Sequence, residues 1–191
     1  VNGVAGGKLF AFVAPAFSVV ETGWEDASDA LLKLQVEADG KKLQRVAEKL
    51  TRHESALIVF RNVRGFDSEN AKMNGPADVH VFRGKIAAIV PANSPLTDAA
   101  TVIDGAGKTL LPGLFDMHTH TGAWDSVLQI AGGVTTLRDM GNDNAYLQDL
   151  ITKIDSGQSI GPHIVPAGYI EGESPFSSNG GFVIRDVEGG K

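Results

Sequence analysis

The stretch Leu110-Leu-Pro-Gly-Leu-Phe-Asp-Met-His-Thr-His120 decides how this sequence folds. Its proline and glycine break the chain immediately before an apolar run, so Leu114–His120 is predicted to be an extended strand. Side chains alternate between the two faces of a strand, and His118 and His120 therefore point to the same side. Two neutral imidazoles on one face, at the C-terminal end of a strand, can bind one divalent metal ion. The sequence thus predicts a metal site that begins with this pair.

After Gly113 the hydrophobic pattern alternates between strands and helices. The predicted elements are strand Leu114–Met117, helix Trp124–Ile130, strand Val134–Arg138, helix Asn144–Ile154 with Asp143 as its N-cap, and strand Ile164–Ala167. Such alternation indicates an α/β fold with a parallel sheet. A complete (β/α)8 barrel takes about 250 residues. Residues 113–191 hold only about three βα units, so they predict the first part of such a barrel, which this chain cannot close alone.

Residues 56–112 show a different sequence pattern, which predicts short strands and turns. The predicted strands are Ala56–Phe60, Val79–Phe82, Ile86–Val90, Thr101–Ile103 and Lys108–Leu111. Arg83-Gly84-Lys85 reads as the turn of a β-hairpin. Strands of this length and spacing predict a small β-sandwich.

Residues 1–55 are predicted to be a separate N-terminal segment. Residues 1–23 read as a β-hairpin or loop, and apolar residues then recur at helical spacing on both sides of Gly40. This pattern predicts a helical hairpin or one bent helix, with a role in packing or interaction and none in chemistry.

Composition excludes several classes of function. The chain has 191 residues with 17 Lys and Arg against 23 Asp and Glu, a formal net charge of −6, so no basic excess points to nucleic acid. Cysteine is absent, which excludes disulfides and thiolate metal sites. No apolar run approaches the roughly 18 residues of a membrane span. A soluble protein, cytoplasmic or periplasmic, is expected, and its first residue, Val1, suggests a processed protein or a piece of one.

Three ordered blocks carry a family resemblance: Asp104–His120, Gly133-Val-Thr-Thr-Leu-Arg-Asp-Met-Gly141 and Gly161-Pro-His-Ile-Val-Pro-Ala-Gly168. From about Ala56 to Phe182 the sequence resembles the N-terminal portion of an amidohydrolase-superfamily metal-dependent hydrolase, most of all its imidazolonepropionase-like and prolidase-like members. The resemblance implies a metal-dependent-hydrolase TIM barrel beside a small β-sandwich built from both ends of the chain. It also implies one or two divalent metal ions, with zinc as the default and manganese, cobalt or iron as alternatives.

In that superfamily a His-x-His pair on the first barrel strand binds the more buried metal, and His118 and His120 match those positions. Asp116 shares their face of the strand, so it is a candidate to orient a ligand imidazole or simply to finish a buried polar network. Asp139 ends the second barrel strand and is a candidate for site architecture, with a structural pair to Arg138 as the alternative. No residue of the chain is assigned as catalytic.

The remaining histidines receive no metal assignment. His163 precedes its strand and is interpreted as a surface or packing residue, and His53 and His80 lie outside the barrel segment. The resemblance places a bridging Lys or Glu, two further His and a proton-shuttling Asp on later strands that this sequence lacks. Lys153 on a helix and Lys191 at the terminus are not credible bridging lysines.

Two histidines are too few for a catalytic zinc site, which usually takes three protein ligands and a water. Three explanations follow. The chain is part of a longer hydrolase whose remainder is a second polypeptide or a missing continuation. Alternatively, it is a truncated binding module, or subunits of a homo-oligomer swap halves to form a composite site.

The leading functional prediction is hydrolysis of a C–N amide bond in a cyclic amide or dipeptide-like small molecule by metal-activated water. The alternatives are an ester or lactone hydrolase with the same metal centre, and a non-catalytic scaffold or interaction module.

Overall fold

The computed structural model describes residues 9–14, 18–52, 57–97, 100–105, 107–178 and 180–191. In chain order the elements are β1 (Ala11–Val13), β2 (Ser18–Val20), α1 (Ser28–Leu50), β3 (Ile58–Asp67), β4 (Lys72–Phe82), β5 (Lys85–Pro91), β6 (Thr101–Asp104), β7 (Thr109–Leu110), β8 (Leu114–Thr119), α2 (Ala123–Ala131), β9 (Val134–Asp139), α3 (Asn144–Asp155), β10 (His163–Pro166), β11 (Ile170–Gly172) and β12 (Phe182–Ile184). They divide into a barrel unit, which joins the chain up to Thr51 with Phe115–Lys191, and a sheet unit, Arg52–Leu114. The finer division at 1–55, 56–112 and 113–191 stays a prediction.

The sheet unit is a five-stranded sheet in the order β5-β4-β3-β6, with β7 also paired to β3. The predicted hairpin turn joins β4 to β5, and both of its central residues, Arg83 and Gly84, have positive φ angles of 50° and 73°. Positive φ at both positions is typical of a type I′ turn, whose twist matches the flanking strands. The described residues of this unit form one sheet. The small β-sandwich predicted for residues 56–112, for which the resemblance implies strands from both ends of the protein, stays a prediction. The predicted first strand begins at Ile58, and Ala56 lies outside the described residues.

A β-bulge in β3 surrounds the buried carboxylate of Asp78. The pairing of β3 with β4 shifts register between Phe60 and Val63, where Asn62 has a φ of 55°. The Asn62 backbone N–H donates to Asp78 Oδ1 at 2.8 Å, and Arg61 Nε lies 3.5 Å from Asp78 Oδ2. The Asp78 side chain is fully buried. This carboxylate therefore holds the bulge by satisfying a backbone donor that the strand ladder leaves unpaired.

Gly105 packs so closely on β3 that a side chain there has no room. A Cβ at this position would lie 2.2 Å from Cγ1 of the buried Val63 and 3.1 Å from the Arg61 carbonyl oxygen. We expect Gly105→Ala to lower the free energy of unfolding by about 1–3 kcal/mol, the usual cost of overpacking. Urea unfolding measures the change.

The matched control for Gly105→Ala is Gly75→Ala, since a Cβ at Gly75 meets no atom within 4 Å. A surface change of this kind should stay within about 0.5 kcal/mol. Equal losses in the two variants would show that the close approach to Val63 has no energetic consequence.

The barrel unit contains the predicted alternation of strands and helices. Its three-stranded sheet has the order β10-β9-β8, and β10 pairs parallel to β9 with His163 opposite Thr136 and Pro166 opposite Asp139. The helices α2 and α3 connect these strands, and a buried cluster lies between α3 and the sheet: Leu137, Leu147, Leu150 and Ile164. Asp143 caps α3 as predicted, because its Oδ1 accepts the Tyr146 backbone N–H at 2.8 Å. The described residues of this unit thus contain two complete βα units and a third strand, which do not close a barrel.

The N-terminal segment contains one continuous helix, α1, where the sequence left open a helical hairpin or a bent helix. Gly40 lies inside α1, where a glycine costs about 1 kcal/mol relative to alanine. Glu37 and Lys41 form an i,i+4 ion pair of 2.6 Å across this position, and Leu43 and Ala47 are buried beyond it. Of the predicted hairpin at residues 1–23, β1 and β2 pair antiparallel, whereas residues 1–8 and 15–17 lie outside the described residues.

Within the described residues, no helix has both the length and the hydropathy of a membrane span.

Candidate metal site

Strand β8 brings the two predicted ligands side by side. His118 lies in the strand and His120 follows its last residue, and both side chains are exposed. Their ring centroids are 5.5 Å apart and the ring planes are inclined by 76°. Because β8 is extended, the spacing of two residues places both imidazoles on one side of the strand. The geometry is compatible with two ligands to one ion, and the ligand role itself stays a prediction.

A hydrogen bond fixes which nitrogen of His120 is available. Its Nδ1 lies 2.6 Å from the carbonyl oxygen of Gly141. A carbonyl only accepts, so Nδ1 carries the proton and the neutral ring keeps its lone pair on Nε2. Histidines that bind metals typically donate their other ring nitrogen in this way. The chemistry of this donor therefore fits a divalent metal ion.

The Asp116 carboxylate accepts a hydrogen bond from the backbone. Its Oδ1 accepts the His118 backbone N–H at 3.2 Å. This contact stiffens the strand end and does not join the carboxylate to an imidazole. The proposed orienting role of Asp116 is without a supporting contact among the described residues.

Asp139 is fully buried and receives three N–H groups from two loops. Its Oδ2 accepts from the Thr121 backbone at 2.7 Å and from Asn142 Nδ2 at 3.1 Å, and its Oδ1 accepts from the Gly141 backbone at 3.1 Å. The carboxylate thus ties the loop after β8 to the loop after β9. These are the C-terminal ends of two adjacent strands, where barrel active sites are built.

The alternative of a structural Arg138–Asp139 pair is not found among the described contacts. Arg138 Nε donates instead to the Met117 carbonyl at 3.1 Å. Successive residues of a strand point to opposite faces, which separates the two side chains. Sequence reasoning also missed Gly141 and Asn142, although their position directly after a strand was a usable signal.

The other histidines lie away from this pair. His163 is the first residue of β10 and is exposed, and His80 lies in β4 of the sheet unit. His53 is outside the described residues. Among the described residues, no group of three His, Cys, Asp or Glu side chains is arranged to hold a metal ion. His118 and His120 are thus two predicted ligands, whereas a catalytic zinc usually takes three from the protein.

Tyr146 links the start of α2 to α3. The Ala123 backbone N–H donates to its hydroxyl oxygen at 3.0 Å. Tyr146 is 38% exposed, and its partial burial raises its pKa above the ordinary value. The Ala123 hydrogen bond lowers this pKa and the Asp125 charge raises it. The folded state therefore favours the neutral phenol.

This shift predicts how Tyr146→Phe behaves with pH. Near pH 8 the variant should unfold about 0.5–1.5 kcal/mol more easily, because the Ala123 N–H loses its partner. A raised folded-state pKa gives a stabilisation that is present below the unfolded pKa of about 10 and is lost as pH rises above it. The deficit of Tyr146→Phe should therefore shrink in alkaline solution, as measured by urea unfolding at several pH values. A deficit independent of pH would contradict the shift.

Known proteins resemble the chain over part of its length. No family model matches. An allantoinase from Streptomyces avermitilis is 36% identical over 93 residues, 44% of this chain and 20% of the relative. A dihydroorotase from Elusimicrobium minutum is 33% identical over 114 residues, 50% of this chain and 26% of the relative. The chain thus spans about a quarter or less of these curated relatives.

Solved structures share the fold. A putative prolidase from Bifidobacterium longum superposes with a TM-score of 0.56 at 21% identity, over 71% of this chain and 35% of its own. Bottromycin amidohydrolase gives a TM-score of 0.54 at 22% identity, over 77% of this chain and 31% of its own. These neighbours confirm the predicted α/β architecture of an incomplete TIM barrel.

Proposed function

We propose that the chain is part of a metal-dependent hydrolase of the amidohydrolase superfamily, as the relatives and solved neighbours that match part of it support. The proposed reaction is the cleavage of a C–N amide bond in a cyclic amide or dipeptide-like small molecule. Residues outside this chain supply the rest of the site. The curated relatives are named allantoinase and dihydroorotase and a solved neighbour is named a prolidase, and the proposed substrate class is drawn from these names.

One observation carries the proposal: the paired imidazoles of His118 and His120, with His120 Nδ1 held on the Gly141 carbonyl. This arrangement leaves Nε2 of His120 ready to bind without a change of tautomer. Zinc is the first choice for the ion, and one or two ions are proposed. A bound divalent ion would lower the pKa of its water so that hydroxide forms near neutral pH, and the ion would also polarise the scissile carbonyl.

The residues of this chain have defined tasks in that reaction. His118 and His120 donate neutral nitrogen ligands from the C-terminal end of β8. The buried Asp139 fixes the loops on which the site stands. Proton transfer to the leaving nitrogen requires a further acid or base, for which the chain has no assigned residue.

Exposed apolar side chains on β8 support a site completed by a partner. On β8, Leu114, Phe115 and Met117 are 56%, 66% and 52% exposed. Leu114 lies on one face of the strand, and Phe115 and Met117 lie on the other. Barrel strands are normally covered on both faces. We propose that the remaining strands, in a second polypeptide, a continuation of this one or a second copy in a homo-oligomer, cover these residues.

The test is intact mass under denaturing conditions, paired with metal analysis of the protein purified natively from its source. We expect bound divalent metal, together with the remaining barrel strands on the same or a second polypeptide. A lone 20.1 kDa species that is monomeric, cooperatively folded and free of metal would contradict the proposal and favour a non-catalytic interaction module.

A further inference from the structure

A cycle of hydrogen bonds connects His120 and the next residue, Thr121, to Asp139 and Gly141. Thr121 donates its backbone N–H to Asp139 Oδ2 at 2.7 Å. Gly141 donates its own N–H to Asp139 Oδ1 at 3.1 Å and receives His120 Nδ1 on its carbonyl at 2.6 Å. One carboxylate therefore holds both the residue that follows His120 and the residue that binds its ring.

Asn142 joins the same cycle of hydrogen bonds from the other side. Its Nδ2 donates to the Thr121 carbonyl at 2.8 Å and to Asp139 Oδ2 at 3.1 Å. Thr121 is thus bound through both its N–H and its carbonyl, and the two loops cannot slide past each other without breaking several hydrogen bonds. Backbone pairing adds a further tie, since the Met140 N–H donates to the Thr119 carbonyl at 2.9 Å.

We propose that Asp139 is a positioning residue for His120: by fixing Gly141 against Thr121, it keeps the Gly141 carbonyl on Nδ1 and so holds the imidazole in the tautomer whose Nε2 can bind metal. The ligand role of His120 rests on the proposed function. The tautomer, however, is a property of the chain without metal.

The chemistry of the contacts explains why this position needs a carboxylate. Asp139 meets three N–H donors, and carboxylate oxygens only accept. An asparagine would turn an NH₂ group toward one of those donors, and a buried donor without an acceptor costs free energy. The least costly response is a shift of the Gly141 loop, which removes the acceptor from His120 Nδ1.

The experiment is Asp139→Asn, with the His120 tautomer as its readout. Long-range ¹H–¹⁵N correlation spectra, recorded at increasing pH until they no longer change, distinguish a proton on Nδ1 from one on Nε2. We expect the native chain to show Nδ1–H at His120 and Asp139→Asn to show a mixture dominated by Nε2–H. Zinc affinity, measured by competition with a chromophoric chelator, should fall about 10- to 100-fold, the range for partners that orient a ligand.

Asp78→Asn is the matched control. Asp78 is likewise a fully buried carboxylate that accepts a backbone N–H, but it belongs to the sheet unit. Loss of stability alone should therefore appear in both variants, whereas the change of tautomer should appear only in Asp139→Asn. An unchanged tautomer in folded Asp139→Asn would overturn the inference.

Asn142→Ala covers the case in which Asp139→Asn does not fold. It keeps the carboxylate but removes the link to the Thr121 carbonyl, so a partial gain of Nε2–H is expected, and no gain would overturn the inference. The two proposals fail separately. If Asp139→Asn shifts the tautomer but the native protein never binds zinc or another divalent ion, the positioning role stands and the metal-dependent function fails.

Discussion

Replacing His120 with alanine in the natively purified protein is expected to lower zinc affinity by more than about 100-fold, beyond the loss caused by removing a partner that only orients a ligand. The variant loses a ring whose Nδ1 already donates to a carbonyl, at 2.6 Å from Gly141. Zinc content after dialysis and competition with a chelator measure the effect. His118→Ala should behave similarly, because its ring is adjacent to that of His120.

His163→Ala is the control for this prediction. His163 is an exposed histidine at the opposite, N-terminal end of β10 and is not part of the pair. Its replacement should leave metal content unchanged. Retention of full zinc affinity in His120→Ala, or an equal loss in His163→Ala, would contradict the assignment of the ligands.

The second large effect is expected on stability, at Asp78. Asp78→Ala removes the acceptor for the Asn62 N–H and leaves Arg61 Nε, 3.5 Å from the carboxylate, without its counter-charge. Breaking a buried pair in this way typically costs 3–5 kcal/mol, and the partial exposure of Arg61 places the expectation near the lower end, at about 3 kcal/mol. Urea or thermal unfolding measures the loss.

Glu69, an exposed residue on the turn after β3, is the control for Asp78. Glu69→Ala should change the free energy of unfolding by no more than about 0.5 kcal/mol. A loss below 1 kcal/mol in Asp78→Ala would mean that the β3 bulge does not depend on this carboxylate.

Local patterns predicted the parts of the fold that depend on neighbouring residues. Alternation located β8, β9 and β10, and Asp143 marked the start of α3, because strand period and N-capping involve residues only a few positions apart. Arg83 and Gly84 signalled their turn for the same reason. The juxtaposition of His118 and His120 likewise follows from strand geometry alone.

The features that sequence did not specify depend on distant contacts or on competing small terms. The partners of Asp139 include Thr121, 18 positions away, and no local pattern identifies that contact. Gly40 favoured a break in the helix, but the Glu37–Lys41 pair and the buried positions beyond it outweigh the cost of one glycine. The single five-stranded sheet likewise arises from the pairing of β3 with β6 and β7 far along the chain.

The most direct test of the metal site is anomalous X-ray diffraction from crystals of the natively purified protein, recorded at the manganese, iron, cobalt and zinc absorption edges. We expect a peak about 2.0–2.1 Å from His120 Nε2 and from a ring nitrogen of His118, with His120 Nδ1 still donating to the Gly141 carbonyl. A metal bound elsewhere, or a His120 ring turned so that Nε2 donates to the protein, would contradict this expectation.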